Sequence, residues 1–516
     1  MTGHEPALRE IEIKFRAGED AVDTLLQSPL LAGVDFAPAR DLVSVYYDTD
    51  DWLLRRNGIA LRVRRKGRAT PVMGLKWTGD LSGGVFSRHE MEAACRSGVP
   101  DLQLLAPAIR ERIAETIGEH PLAPVFETRV KRRTATLRFG HSNIELALDD
   151  GAIAAGEARM PVAEIELELK SGNQQDLLEC AAALARGSAL QLDFEAKSDR
   201  GYRLAAGEAP KPQRAAALAL PAAINFDDLI AAVLSHTIDH FVANWAALRE
   251  TDAPESIHQL RVALRRMRSA LGVFRRTIKL PELEDIRAEA KRIASGLGPA
   301  RECDAFRMNA LAGPLGNRQV PLKGAAQLLA AVEARRLNSY VQARQLMADP
   351  ATTMFVLQVQ SFVHRRAWRT AVSAGDLGLL TSEARPYAAE ALGRLLRRAL
   401  KRGRHLPDIP DAERHELRIE LKNLRYAAEF FGSLFSEGRT LRRYLKLVAD
   451  LQEDLGAHND AATAEAFIES LALASEKDLH FASGYLLGWY RHASMAADIN
   501  LIRKWKTFKR SEGFWE

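Results

Sequence analysis

Near its N-terminus the chain reads Glu10-Ile11-Glu12-Ile13-Lys14, a strict alternation of charged and apolar residues. As a strand this puts Glu10, Glu12 and Lys14 on one face and Ile11, Ile13 and Phe15 on the other. One such strand is ordinarily half-buried, with its charges in water. The pattern returns, however, in at least four later strands. Residues 59–64 set Arg62 and Arg64 on one side, residues 72–77 set Lys76 opposite Leu75, and residues 88–92 align Arg88, Glu90 and Glu92. Residues 125–139 aim Arg132, Thr134, Thr136 and Arg138 away from Ala135, Leu137 and Phe139. Residues 144–149 oppose Glu145 and Asp149 to Ile144, Leu146 and Leu148, and residues 164–170 line up Glu164, Glu166 and Glu168. Charged faces repeated in this way are explained together if the strands close into a barrel, charged inside, apolar outside and covered by helices.

Inside such a barrel the faces form two sets. Glu10, Glu12, Asp149, Glu164, Glu166 and Glu168 are carboxylates suited to Mg²⁺ or Mn²⁺, which prefer hard oxygen ligands. Lys14, Arg62, Arg64, Lys76, Arg88, Arg132 and Lys197 are cations. Packing like charges together is costly without compensation, and an elongated polyanion carried with divalent metal satisfies both sets. Phosphoanhydride hydrolysis needs this combination, because cations hold the phosphates while metals neutralise developing charge and activate water. No Walker-type glycine loop or Cys/His zinc spacing competes: the cysteines are Cys95, Cys180 and Cys303, far apart. They point to buried thiols in a reducing compartment. A net charge of +5 is too mild to identify a partner by itself.

The ordered set of motifs resembles the CYTH superfamily, the triphosphate tunnel metalloenzymes. Glu10-x-Glu12-x-Lys14 matches its ExExK signature. Leu61-Arg62-Val63-Arg64, Leu75-Lys76, Arg88-x-Glu90, Phe126-x-Thr128 with Arg132, Leu148-Asp149 and Glu164-x-Glu166-x-Glu168 follow in order, and Lys197 to Leu204 resembles the end of such domains. The resemblance covers roughly residues 5–205. It implies an eight-stranded antiparallel β-barrel tunnel with flanking helices that hydrolyses or cyclises triphosphates. Glu10, Glu12, Asp149, Glu164, Glu166 and Glu168 would bind metal, two Mg²⁺ or Mn²⁺ ions per tunnel. Lys14, Arg62, Arg64, Lys76, Arg88, Arg132 and Lys197 would grip phosphate oxygens. Glu166 and Glu168, with Lys14, are the candidate catalytic groups, and which glutamate orients the attacking water stays open. Arg138 matches no family position and is left between tunnel lining and exposed rim.

Short amphipathic helices are expected at residues 20–31, 101–119 and 174–185, and a turn at Gly83-Gly84. After residue 205 the composition shifts to Ala, Pro, Lys and Gly, with Pro210, Pro212 and Pro221. Residues 206–223 therefore read as an exposed linker between a first domain, 1–205, and a second, 224–516. Strand signals largely vanish beyond it, and Ala, Leu, Arg and Glu recur at helical spacing, which predicts an all-α domain.

That half repeats itself. His258, Arg261, Arg265 and Arg268 have the same spacing as His415, Arg418, Lys422 and Arg425, and both sets fall on one helix face. Each is followed by a Leu-Gly element, Leu297-Gly298 and Leu455-Gly456. A lone basic stripe is usually a solvated face; two with identical spacing point to a duplicated helical bundle that meets a polyanion or paired acids. The histidines could serve as ligand contacts or as buried structural imidazoles. These residues, with Arg301, Asp304, Asn459 and Asp460 in the following motifs, resemble the CHAD domain over roughly residues 224–505. The resemblance implies binding of long-chain inorganic polyphosphate without catalysis. Lys422 stands where the first copy has Arg265, which loses bidentate phosphate binding there.

The expectation is an inorganic triphosphatase that cleaves tripolyphosphate to pyrophosphate and phosphate, joined to a polyphosphate binder. The alternatives are an organic triphosphate enzyme (a nucleoside or thiamine triphosphatase, or an adenylate cyclase) and a non-catalytic polyphosphate scaffold. Nucleic acid is disfavoured, since aromatics are 7% of residues and are not interleaved with the arginines. With no apolar leader in residues 1–9 and no long uncharged apolar window, the expected location is the cytoplasm; the CHAD resemblance implies association there with polyphosphate granules.

Overall fold

The alternating segments form the strands expected of them. The structure is a computed structural model that describes residues 8–18, 21–77, 81–82, 85–316, 322–372, 377–435, 438–471 and 477–516. The Gly83-Gly84 turn lies outside the described residues. In chain order the strands are β1 (Leu8–Arg16), β2 (Arg40–Asp48), β3 (Ile59–Lys66), β4 (Val72–Trp77), β5 (Leu81–Ser82), β6 (Val85–Ala94), β7 (Ala123–Phe139), β8 (Ser142–Ala155), β9 (Ala158–Ser171) and β10 (Gln191–Leu192). Neighbours run β1-β9-β8-β7-β2-β3-β4-β6, and β6 pairs back onto β1. Among the described residues, eight antiparallel strands thus close into a barrel, with β5 and β10 as short additions. Closure removes the unpaired sheet edges.

The side-chain period of two then sorts the residues. Outward-facing Ile59, Leu61, Val63, Met73 and Leu75 form one buried cluster with Ile113 and Ile117 of the helix Pro107–Ile117. Each large apolar side chain buried there contributes about 1.5–3 kcal/mol. Pro107, which has no amide hydrogen to donate, starts this helix. The expected run 101–119 is accordingly split into a 3₁₀ turn, Leu102–Leu104, and the helix proper. A further helix, Gln174–Ala185, has Asn173 as its N-cap, accepting from the Asp176 amide, and buries Leu177, Leu178, Ala181 and Leu184.

One end of the barrel interior is apolar. Leu42, Tyr46, Phe126, Val130, Ile153 and Val162 pack there around Tyr202 of the helix Lys197–Ala206. Tyr46 stacks on Phe126 at 4.5 Å and Tyr202 meets Phe126 edge-on at 5.1 Å. The helix approaches so closely that a Cβ on Gly201 would stand 2.0 Å from the Phe126 ring.

The chain divides into two compact units. One comprises Met1–Pro212, Phe241–Thr251 and Met347–Arg365, and the other comprises Gln213–His240, Asp252–Leu346 and Arg366–Glu516. The second unit is helical. In its helix Pro254–Phe274 the buried Leu260, Leu264 and Met267 each precede a basic residue, Arg261, Arg265 and Arg268. In Asp411–Phe431 the buried Leu417, Leu421 and Leu424 likewise precede Arg418, Lys422 and Arg425. One residue is about 100° of helix, so each basic stripe flanks its core stripe. Among the described residues no helix is long and apolar enough to cross a membrane.

Gly201→Ala should destabilise the barrel unit by about 1–3 kcal/mol through overpacking against Phe126, seen as a lowered midpoint in urea unfolding.

Candidate active site

The inward faces of the barrel enclose a cavity of about 400 Å³. Glu10, Glu12, Lys14, Arg62, Arg64, Lys76, Arg88, Arg132, Glu166, Glu168 and Lys197 line it. Asp149 and Glu164 are buried behind this lining, in contact with Lys197. Arg138 is exposed and lies outside the lining.

Antiparallel register pairs the charges. Glu10 lies opposite Arg88, Lys14 opposite Glu166, Lys76 opposite Glu90 and Arg132 opposite Asp149. Lys76 Nζ stands 2.6 Å from Glu10 and 3.4 Å from Glu90. Lys14 Nζ is 3.0 Å from Glu12 and also contacts Glu166. Arg88 contacts Glu12, and Arg62 reaches Glu90 at 3.0 Å and Glu92 at 3.4 Å. Arg132 Nε donates to Asp149 at 2.6 Å. An ion buried without a partner would cost several kcal/mol, so this pairing is what makes a charged interior tolerable. Arg64 differs: its Nε donates to Ser44 Oγ at 3.1 Å, and among the described residues no carboxylate lies within ion-pair distance. It is the lining arginine best placed to take an anion.

On β8 and β9 the carboxylates converge. One oxygen from each of Asp149, Glu164 and Glu166 lies within 4.8 Å of the others. Lys197 Nζ sits among them, 2.8 Å from Asp149, 2.9 Å from Glu166 and in contact with Glu164. A cation held by three hard oxygens is arranged as a divalent ion would be, so the donor set fits Mg²⁺ or Mn²⁺. Glu10 and Glu12 lie on the neighbouring strand, Glu12 opposite Glu168. Sequence reasoning left several lining residues without a role, among them Glu90, Glu92 and Lys170. It also missed Arg200, which is 1% exposed and contacts Glu164. Arg200 lies inside the recognised stretch from Lys197 to Leu204, but only the helix's place against the barrel shows that it faces a carboxylate.

In the helical unit the two basic stripes share one construction. Arg261 donates to the Ala294 carbonyl, and Arg418 Nε donates to the Gln452 carbonyl at 3.2 Å. Each guanidinium rests on a glycine: a Cβ would come 3.4 Å from Arg261 on Gly298 and 3.0 Å from Arg418 on Gly456. This explains why the Leu-Gly element follows each stripe. The first opens the helix Gly298–Ala312, and the second lies within the helix Arg439–Ser470. The histidines are not equivalent, since His258 is partly buried and His415 is exposed. Asp304 is structural: buried, it accepts from Arg336 Nε at 2.7 Å and from the Tyr340 hydroxyl at 2.8 Å. The Asn459 side chain lies outside the described residues.

A CYTH domain family model matches residues 8–202 and a CHAD domain family model matches residues 232–469. The chain carries a CYTH domain followed by a CHAD domain. An inorganic triphosphatase of Haemophilus influenzae is 32% identical over 167 residues, 32% of this chain and 46% of that protein, so the match spans about half of the relative's length. An uncharacterised protein of Mycobacterium tuberculosis is 26% identical over 510 residues, 90% of this chain and 89% of its own. Among solved structures, the CHAD domain from the plant Ricinus communis is 30% identical, with a TM-score of 0.47, over 56% of this chain and 96% of that one.

The electrostatics of the CYTH cavity follow from its pairs. Burial works against ionisation of Glu12, yet Lys14, Arg88 and Lys76 together hold its carboxyl down at about 2. Burial likewise opposes ionisation of Glu166, and Lys14, Lys197 and Arg132 outweigh it, leaving the group well below the carboxylate range. Glu168 moves the other way: burial raises it, Glu10 and Glu12 add to the rise, and its hydrogen bond from Lys170 only partly offsets this. Burial, then Arg62 and Arg132, lower Arg64 to about 10.

In the CHAD domain, burial and then Arg301 push His258 down to about 4. Burial, then Arg418, Arg265, Arg425 and Arg261, lower Lys422 to about 7. The last three causes include residues of both repeats, so the two stripes act on one another. Lys422 thus binds its proton more weakly in the folded domain than in the unfolded chain. The resulting cost is full below pH 7 and fades as pH rises toward the ordinary value of 10.5. Lys422→Met should therefore raise the urea-unfolding midpoint of the CHAD domain more at pH 6 than at pH 9.

Proposed function

We propose that the CYTH domain hydrolyses inorganic tripolyphosphate to diphosphate and phosphate with Mg²⁺ or Mn²⁺, and that the CHAD domain binds long-chain inorganic polyphosphate. The observation that carries the first part is the split charge of one cavity: Arg62, Arg64, Lys76, Arg88 and Arg132 beside the nest of Asp149, Glu164 and Glu166. Its likeness to an inorganic triphosphatase points the same way. In this reading Arg62, Arg88, Arg132 and Lys76 exchange their carboxylate partners for phosphate oxygens, Arg64 takes one without giving up a carboxylate, and together they hold the chain of phosphates in line. Asp149, Glu164 and Glu166, with Glu10 and Glu12, hold the divalent ions, which when bound supply charge neutralisation and a more acidic water. Lys14 keeps Glu12 and Glu166 in place. Glu168, the lining carboxylate with raised proton affinity, accepts the proton of the attacking water. The water oxygen joins the terminal phosphorus as the bridging P–O bond breaks, and the diphosphate leaves.

A second cavity of about 220 Å³ gives the organic alternative a specific footing. Trp77, Phe86, Phe194 and Tyr202 line it, and it shares Lys76 and Arg88 with the first. A planar group attached to a triphosphate would fit against those rings. For the CHAD domain, Arg261, Arg265, Arg268, Arg418, Lys422 and Arg425 would form the anion-binding surface. His258 would stand beside it, and the exposed His415 would serve at its rim.

Phosphate release from tripolyphosphate, ATP, thiamine triphosphate and long-chain polyphosphate, with each metal, tests the proposal. Tripolyphosphate should be the preferred substrate. Glu168→Gln should lower kcat about 10²–10⁴-fold with metal binding kept, whereas Glu166→Gln should lose metal binding as well. Preference for ATP or thiamine triphosphate would replace the substrate, and no turnover with any metal would remove the enzyme reading.

A further inference from the structure

Behind Glu164 the barrel unit holds a second charge network that the proposed reaction does not use. Arg200 contacts one oxygen of Glu164 while Lys197 contacts the other, and Arg200 stands 3.8 Å from Asp193. Asp193 is fully buried, 3.5 Å from Arg16 and 3.6 Å from Arg249. Arg249 continues to Glu195 at 3.1 Å and Glu250 at 2.8 Å, and Arg203 closes the ring onto Glu195 at 3.0 Å and Glu250 at 3.1 Å. Arg249 and Glu250 lie on the helix Trp245–Glu250. That helix falls within the stretch matched to the CHAD domain, yet it belongs to the same compact unit as the barrel, where Trp245 meets Phe194 edge-on at 5.2 Å.

We infer that Arg249, supplied from beyond the linker, is a positioning residue for the carboxylate nest: by holding Asp193 it leaves Arg200 to fix Glu164. The inference rests on reading Asp149, Glu164 and Glu166 as metal ligands. In the network four arginines, Arg16, Arg200, Arg203 and Arg249, meet four carboxylates, Glu164, Asp193, Glu195 and Glu250. Without Arg249 three arginines would remain. Asp193 would keep Arg16, 3.5 Å from its Oδ2, but would lose the cation at its Oδ1 and draw the Arg200 guanidinium further toward itself, because an incompletely compensated buried carboxylate is the costlier alternative. One oxygen of Glu164 would lose its anchor, and the other its fixed aim toward Asp149 and Glu166. Loss of such an outer partner costs on the order of 10–100-fold in metal affinity.

The test is isothermal titration of the full chain with Mn²⁺, with the heat lost in Glu166→Gln assigning the tunnel site. Arg249→Met should weaken Mn²⁺ binding roughly tenfold. The double variant Arg249→Met/Asp193→Asn should restore it, because the competitor for Arg200 is then neutral. A merely structural role for Arg249 would not be rescued by removing a second charge. Should Arg249→Met fail to fold, the double variant is compared with Asp193→Asn alone, and equal affinities are expected. Unchanged affinity in a folded Arg249→Met protein, or unequal affinities in that comparison, would overturn the inference. Absence of Mn²⁺ binding by the unaltered chain would overturn the metal reading together with it.

Discussion

Everything in the barrel depends on burying charge in opposed pairs. A closed antiparallel sheet with a charged interior is stabilised when its inward ions find partners, and pairing across adjacent strands supplies them for most of the lining, with Arg64 left to Ser44. Lys76 between Glu10 and Glu90, and Arg132 against Asp149, meet each other directly. The same pairs make the cavity chemically responsive. In the proposed reaction a phosphate oxygen and a divalent ion would replace the two halves of a pair together, with little change in net charge.

The pairing also separates carboxylates that look alike in sequence. Glu166 and Glu168 share a face and are two residues apart, yet their proton affinities diverge. Glu166 sits among Lys14, Lys197 and Arg132, which outweigh its burial, whereas burial raises Glu168 and Lys170 only partly offsets it against Glu10 and Glu12. Two carboxyl groups pushed apart in this way are suited to different tasks.

The helical repeat solves a different problem. A basic side chain placed one residue after a buried leucine flanks the core, and its guanidinium needs acceptors. Arg261 and Arg418 find theirs on the carbonyls of a following helix and lie over a glycine that leaves room for them. Lys422 lies buried among these arginines and their neighbours, and burial first, then Arg418, Arg265, Arg425 and Arg261, depress it. Mutual repulsion of this kind is relieved by a bound anion, whatever its length.

The strand identities and the charged interior were legible in the sequence because a period of two needs no knowledge of the neighbours. Glu10, Glu12, Lys14, Arg62, Arg64, Lys76, Arg88 and Arg132 all proved to line one cavity. The duplication in the helical half was equally visible, since identical spacing on a helix means an identical face. Parity, however, reports a side and not a depth or a partner. It left Arg138 open, and the structure puts it in solvent; it could not show that Asp149 and Glu164 lie behind the lining, nor that His258 and His415 differ in exposure. Arg200 and Arg249 were beyond its reach altogether. Their roles depend on two helices, one on each side of the linker, that meet the barrel in space, and no periodicity within either helix encodes that meeting. The sequence by itself determined which residues share a face. Only the tertiary structure decided which charge answers which, because a buried ion's partner is set by distance across the fold.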